Sequence, residues 1–300
     1  MTTTTLRCTT RDDVLGVPEL MLGFAPIESL TLLHIMYNRV EFCLRIDAEA
    51  AIDDPVFILE RIESASAGTR RAGGEWMIIG FTSQPRSLAN SIHYVISLLP
   101  SAFDAFVTDG THSWRIDDDG YLVDEEQCDP SSRSSAALAV LDGQELGMAR
   151  ESIASRIPEW EPDAESGAWV RFVMEEFTAD ERMLWLEELM AEPDVSKVET
   201  AILGWLLADD ECAVELARST KTWNAEHRLG MLLPMLERVP EEARANAVGV
   251  TALASWVANE GVITTELLGL LEDIAPVHPL LRILGPMMQY AIPPSSWDEL

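Results

Sequence analysis

The sequence predicts an α/β domain with a mixed sheet followed by an all-helical domain, and three observations carry that prediction. Apolar runs of strand character alternate with amphipathic helical stretches in the first half of the chain. No run of comparable strand character follows residue 165. Between the two lies a polar segment punctuated by Pro158 and Pro162, set among Glu159, Glu161, Asp163 and Glu165. The expected domains are therefore 1–158, α/β, and 159–300, acidic and helical.

In chain order, 29–37 (SLTLLHIMY) and 40–47 (VEFCLRID) read as paired strands, rich in β-branched and aromatic residues, with Asn38-Arg39 as a tight turn. In the second, Val40, Phe42, Leu44 and Ile46 alternate with Glu41, Cys43, Arg45 and Asp47, which points one face at a core and the other at water. Asp53-Asp54-Pro55 has the composition of a helix start, an acidic cap with proline in the first turn. Residues 75–82 (EWMIIGFT) predict a central strand. Residues 86–99 place Leu88, Ile92, Val95 and Leu99 at helical spacing. A strand at 103–108, a turn at Asp109-Gly110, a strand at 111–116 and a turn at Asp119-Gly120 complete a β-β-α-β-α-β-β order. Helices of crossover length between strands favour a partly parallel sheet. Residues 124–135 are polar and predict a loop, and 136–142 and 148–157 predict short helices.

Past residue 165 the signals are helical throughout. Thr178 and Glu181 have the spacing of a capping box, and Asp194, Thr222 and Thr264 are further cap candidates. Breaks at Pro193, Pro240, Gly261 and Pro276 divide the segment into seven or eight helices. The stretch 245–290 has the helix-pair and exit-proline pattern of tetratricopeptide repeats, without a second copy at a fixed period.

The charge is the unusual quantity: 51 Asp and Glu against 21 Lys and Arg, a net −30. Such a field repels nucleic acid and anionic membrane and attracts basic partners or cations. Solubility in a salty or acidic proteome is the alternative account. No stretch approaches the ~20 apolar residues needed to span a bilayer. The N-terminus lacks the apolar run of a signal peptide. The four cysteines, Cys8, Cys43, Cys128 and Cys212, are scattered, which argues against zinc and a disulfide framework and for a reducing compartment. The expected location is the cytoplasm.

Candidate chemistry is sparse. Asp117-Asp118-Asp119-Gly120 would put Arg115 at the first ligand position of a calcium loop, so a hairpin turn is the better reading. The five histidines show no metal-ligand spacing, and no nucleophile elbow occurs. His34 lies in an apolar strand and reads as a core histidine. Cys43 reads as buried. Glu28, Asp53, Asp109 and His112 are ligand candidates by position, since strand ends and helix starts are where open α/β sheets bind ligands. Each has a structural alternative, as a turn or a cap. Residues 159–192 hold eleven Asp or Glu, only Arg171 and Arg182 as bases, and Trp160, Trp169 and Trp185. The tryptophans are expected in the core; if exposed, aromatics ringed by carboxylates would suit a basic protein.

The opening Leu22-Gly23-Phe24-Ala25-Pro26-Ile27-Glu28-Ser29-Leu30 resembles the L-G-F-x-P-x-x-S-L motif of the DUF4192 family, uncharacterised proteins of actinobacteria and some of their phages. The strand pair, the Trp76–Thr82 strand, the hairpin bearing Trp114, the Ser134–Gly143 segment, the tetratricopeptide-like helices and the closing Ile292-Pro293-Pro294-Ser295-Ser296-Trp297 follow the family's order. A cysteine-rich Asp-Pro segment that often follows the hairpin in that family is reduced here to Cys128-Asp129-Pro130. The resemblance implies a cytoplasmic protein and brings no activity with it.

The functional expectation is a non-enzymatic acidic protein–protein interaction module with a basic protein partner. Mimicry of nucleic acid and phage-encoded modulation of a host are variants of it. Glu159, Trp160, Glu161, Asp163, Glu165, Glu175, Glu176, Glu187 and Glu188 are the interaction candidates. The alternative is a hydrolase of a small or nucleotide-like ligand using carboxylates of the α/β domain. No cofactor, metal, direct nucleic-acid binding or membrane partner is expected.

Overall fold

The apolar runs of the first half form one sheet from β1 (Ser29–Met36), β2 (Arg39–Asp47), β3 (Glu75–Phe81), β4 (Ala102–Thr108), β5 (His112–Ile116) and β6 (Leu122–Gln127). The computed structural model describes residues 8–37, 39–68, 74–99, 102–129, 150–162, 166–191, 196–289, 292 and 294–299. The chain divides into two units, Met1–Arg150 and Glu151–Leu300.

The strand order is β2-β1-β3-β4-β5-β6. β3 and β4 are parallel, and every other neighbouring pair is antiparallel. Among the described residues four helices join the sheet: α1 (Arg11–Leu22), α2 (Ala48–Asp53), α3 (Pro55–Gly68) and α4 (Pro85–Leu98). Alternation sorts the sheet's side chains to two faces. Leu33, Ile79 and Phe106 meet Leu15 and Val17 of α1 on one side. On the other, α4 buries Leu88, Ile92 and Val95. With both faces covered, β1 and β3 are apolar almost throughout.

Three local readings are corrected. Helices α1 and α2 were not expected; α1 carries Pro18 and Gly16, which mask its periodicity, and it is secured by a capping box between Thr10 and Asp13. The first hairpin reverses at Tyr37, whose φ is +50°, and Arg39 already belongs to β2. Residues 124–127 of the expected loop belong to a strand: β6 is a polar edge strand with mostly exposed side chains, so packing gives it no apolar signature. The predicted helix 136–142 lies outside the described residues.

The second unit contains α5 (Arg150–Ala154), α6 (Ser166–Glu176), α7 (Ala179–Ala191), α8 (Lys197–Leu206), α9 (Asp210–Ser219), α10 (Ala225–Met235), α11 (Arg244–Val257), α12 (Gly261–Ile274) and α13 (Pro279–Gln289), with 3-10 turns at Glu241–Ala243 and Pro294–Glu299. Its centre is α11, in which every residue from Ala247 to Val257 is buried. A helix apolar all round belongs in a core, and α9, α10, α12, α13 and the closing 3-10 turn pack on it. Its polar residues are satisfied locally: Thr251 donates to the Ala247 carbonyl at 2.7 Å, and Ser255 and Thr264 share a 3.0 Å hydrogen bond. Thr178 and Glu181 form the expected cap. Thr264 is instead interior to α12 and Thr222 binds Asp298, while Asp194 lies outside the described residues. Among the described residues no helix is long and apolar enough to cross a membrane.

Candidate functional site

Helices α6, α7 and α8 assemble a continuous aromatic row. On α6, Trp169 and Phe172 fall one turn apart and share a face. Trp169 stacks on Trp205 of α8, at 5.5 Å and 9°, and meets Phe172 edge-on at 5.8 Å. Phe172 in turn meets Phe177 at 6.2 Å, and Phe177 lies 4.4 Å from Trp185 of α7. The row is not core. Trp169 is 48% exposed, Phe172 47% and Leu184 53%. This overturns the expectation that the tryptophans of this stretch are all interior: two short helices cannot bury three large rings and keep their acidic face wet.

The helices that carry the row also expose carboxylates. Glu175, Glu176, Glu187 and Glu188 are all exposed, as is Asp180. Among the described side chains, no cation meets any of these five. Arg182, one of the two bases of the stretch, is turned inward: its Nη2 lies 2.6 Å from Asp209 Oδ2, and its Nη1 donates to the Phe177 carbonyl. Between α7 and α8 a cleft of about 270 Å3 is lined by Trp185, Leu189 and Ile202, with Glu188 and Glu199 at its rim. Glu199 closes the capping box of α8, and its hydrogen bonds with Ser196 hold its carboxyl below the ordinary range. It therefore stays charged beside the cleft.

The other helical candidates sit elsewhere on the unit. Glu159 and Glu161 are exposed, and Trp160 is half-buried between them. The Trp160 indole donates to the Val239 carbonyl at 2.8 Å and lies 3.9 Å under the Arg244 guanidinium. The Glu161 N–H donates to the Glu237 carbonyl at 2.7 Å. Trp160 is thus an anchor for this segment. Asp163 and Glu165 lie outside the described residues.

The α/β candidates gather at one end of the sheet, because Ser29, Phe81 and Thr108 share a register row. Glu28 precedes β1 at a φ of +43°. Its carboxylate accepts the Thr82 hydroxyl at 2.9 Å and the Ser83 N–H at 2.8 Å. The Ser83 N–H is the main cause of its lowered pKa. Asp109 Oδ1 accepts the Thr111 N–H, the Thr111 hydroxyl and the His112 N–H, all within 2.8 Å. Burial pulls its pKa upward and these bonds outweigh it, so the net shift is down. His112 is half-buried, 3.1 Å from the Thr111 hydroxyl. Asp53 ends α2 in solvent, and Asp54 is the residue that binds an amide of α3, at Val56. Asp109 and His112 serve their own loop, whereas Glu28 ties the turn before β1 to the loop after β3. The same loop explains the opening motif: Gly23, at φ +77°, ends α1 in a conformation a Cβ would strain, and the chain then bends into Glu28.

Two of the thiols are quiet. Burial pushes Cys43 up to about 12 and Cys212 to about 11. His34 is buried and tilted against Trp76 at 4.9 Å, as a core histidine should be. Among the described residues no group of three or more His, Cys, Asp or Glu is placed to hold a metal ion. Sequence reasoning passed over Asp210, Asn246 and His278, three residues far apart in the chain that meet at one point; only the fold brings them together.

No curated protein and no solved structure matches the chain. A family described as a domain of unknown function, DUF4192, matches residues 16–295, which takes in the opening motif, the whole sheet and the helices through α13. The chain therefore belongs to the DUF4192 family.

Proposed function

We propose that the protein is a non-enzymatic interaction module whose helical unit docks a basic segment of another protein. The observation that carries this reading is the exposed Trp169–Phe172 pair in an aromatic row whose helices expose Glu175, Glu176, Glu187 and Glu188. Half-exposed large aromatics are costly to leave in water and are the anchors that interfaces favour. Carboxylates around them steer a cationic partner and exclude an anionic one. The cleft beside Trp185 has the size and the two flanking carboxylates to take a single lysine or arginine side chain over an aromatic floor. The free cysteines suit the reducing cytoplasm, where we place the protein.

The test is fluorescence anisotropy of the full chain with a labelled peptide of interspersed lysine, arginine and leucine, and with its glutamate counterpart. The basic peptide is expected to bind with an affinity that falls as salt rises, and the acidic one not to bind. Trp169→Ala is expected to weaken the complex by roughly tenfold or more. Binding that ignores salt, or that survives both Trp169→Ala and Glu188→Lys, overturns the reading.

A further inference from the structure

We propose that the helical unit also holds a binding site for a small amphipathic anion, an apolar body carrying one terminal carboxylate. The site is a half-open cavity of about 560 Å3 bordered by α9, α11, α13 and the closing 3-10 turn. That volume falls among those of ordinary ligand pockets. Its walls are aliphatic, and two of them are left in water: Val214 is 66% exposed and Ile283 39%.

The two ends differ in chemistry. At one, Asn246 Nδ2 donates to Asp210 Oδ1 at 3.0 Å and to the Leu207 carbonyl at 2.9 Å, and Asn246 Oδ1 lies 3.1 Å from His278 Nε2. The Leu280 N–H donates to His278 Nδ1 at 3.3 Å, which assigns the ring proton to Nε2. Burial lowers the His278 pKa, more than Asp210 raises it, so this end is neutral at His278. The ring lies over Gly249, where a Cβ would come within 2.7 Å of it.

At the other end stand Arg218 and Lys221. Lys221 is one of only two lysines in the chain, and its Nζ donates to the Trp297 carbonyl at 3.1 Å. Arg218 also pairs with Glu215 at 2.9 Å. Asp298 lies near Lys221, and its carboxylate is engaged by the Thr222 N–H and hydroxyl. Among charged lining residues, two cations face one anion, Asp210, a net +1 in a protein of −30. Glu215 and Asp298, the carboxylates beside these cations, do not line the cavity, so in its wall the cations outnumber the anion and favour an anionic group there. Asp210 and Arg218 are eight residues apart, about 12 Å along α9, which sets the length of the apolar body. This site is separate from the basic-partner reading and does not depend on it.

Calorimetry of the full chain with submicellar decanoate, decanol, decyltrimethylammonium and acetate tests the proposal. Decanoate is expected to bind at one saturable site with a negative heat-capacity change, and acetate not to bind. Decyltrimethylammonium should bind at least tenfold more weakly than decanoate. Lys221→Gln keeps a donor for the Trp297 carbonyl but removes the charge; it should lower decanoate affinity about tenfold and leave decanol unchanged. Val214→Trp, at an exposed position that leaves the core intact, should abolish both. Non-saturable uptake of decanoate, equal binding of the cationic probe, or an unchanged decanoate affinity in Lys221→Gln overturns the proposal. So does a dimer that Val214→Trp disperses and decanoate leaves intact, which would assign the surface to a second copy of the chain.

Discussion

In the α/β unit Asp13, Glu28 and Asp109 are ties, whereas most carboxylates of helices α6 and α7 form a surface. Asp13 is 1% exposed and accepts the Thr9 N–H, the Thr9 hydroxyl and the Thr10 N–H within 3.1 Å. Glu28 and Asp109 close loops in the same manner. On the helical face, Glu175, Glu176, Glu187 and Glu188 are exposed and meet no described cation. One net charge of −30 therefore hides two uses of the same side chain. A variant that neutralises a tie should cost stability, and one that neutralises a surface carboxylate should cost binding. The sharpest break between the two is Asp13→Ala. It strands a buried capping set, and a loss of about 2–3 kcal/mol is expected in chemical denaturation. A loss below about 0.5 kcal/mol would remove the distinction for this residue.

The helical unit draws its stability from packing around α11 instead of from loop ties. Gly249→Ala tests that. Alanine should gain about 1 kcal/mol of helix propensity. Its Cβ would nevertheless meet the His278 ring at 2.7 Å and Leu280 at 3.3 Å. The ring is held by Asn246 and the Leu280 N–H and has little room to yield. Overpacking costs about 1–3 kcal/mol, so a net destabilisation of about 1 kcal/mol is expected. Hydrogen exchange should localise it to α11 and α13. A net gain in stability would show that α13 moves aside freely.

Glu28→Gln is the intermediate case, an exposed carboxylate that is nevertheless a tie. Losing charge-assisted bonds to Thr82 and Ser83 at an exposed site is worth about 1 kcal/mol. The pH dependence follows from the sign of the shift. The folded-state pKa of Glu28 is depressed, so its contribution is present in full above the unfolded carboxyl's pKa and is lost as pH falls through the lower, folded value. The melting-temperature difference between wild type and Glu28→Gln should therefore be flat near neutral pH and shrink in acid. A difference that grows in acid would reverse the assignment.

How much of this the sequence discloses depends on whether a residue acts through its neighbours in the chain or through the fold. β1, β3 and α4 are legible because burial on a face repeats at a fixed period, as in Leu88, Ile92 and Val95. β6 is not, since its side chains face water and the backbone partner alone makes it a strand. Helix α1 hides behind Pro18 and Gly16, although Thr10 and Asp13 announce its start. The acidic content of α6 and α7 is plain in the sequence. The exposure of Trp169 is not, because it depends on how far Trp205 of α8 covers the ring. Asp210, Asn246 and His278 carry no local pattern at all; tertiary packing alone makes them a cluster.

The smallest expected change in stability is the one that tests the comparison from the other side. Glu187→Gln with Glu188→Gln removes two exposed carboxylates that close no loop and cap no helix. Surface changes of that kind alter stability by no more than about 0.5 kcal/mol. Neutralising two like charges on one helix should, if anything, raise the melting temperature slightly, since repulsion falls. The same double variant should flatten the salt dependence of basic-peptide binding, because fewer ion pairs form at the interface. Stability unchanged with a flatter salt profile is what a surface role requires. A marked loss of stability would make these two residues ties, as Asp13 and Glu28 are, and would move the docking surface to the remaining carboxylates of α6.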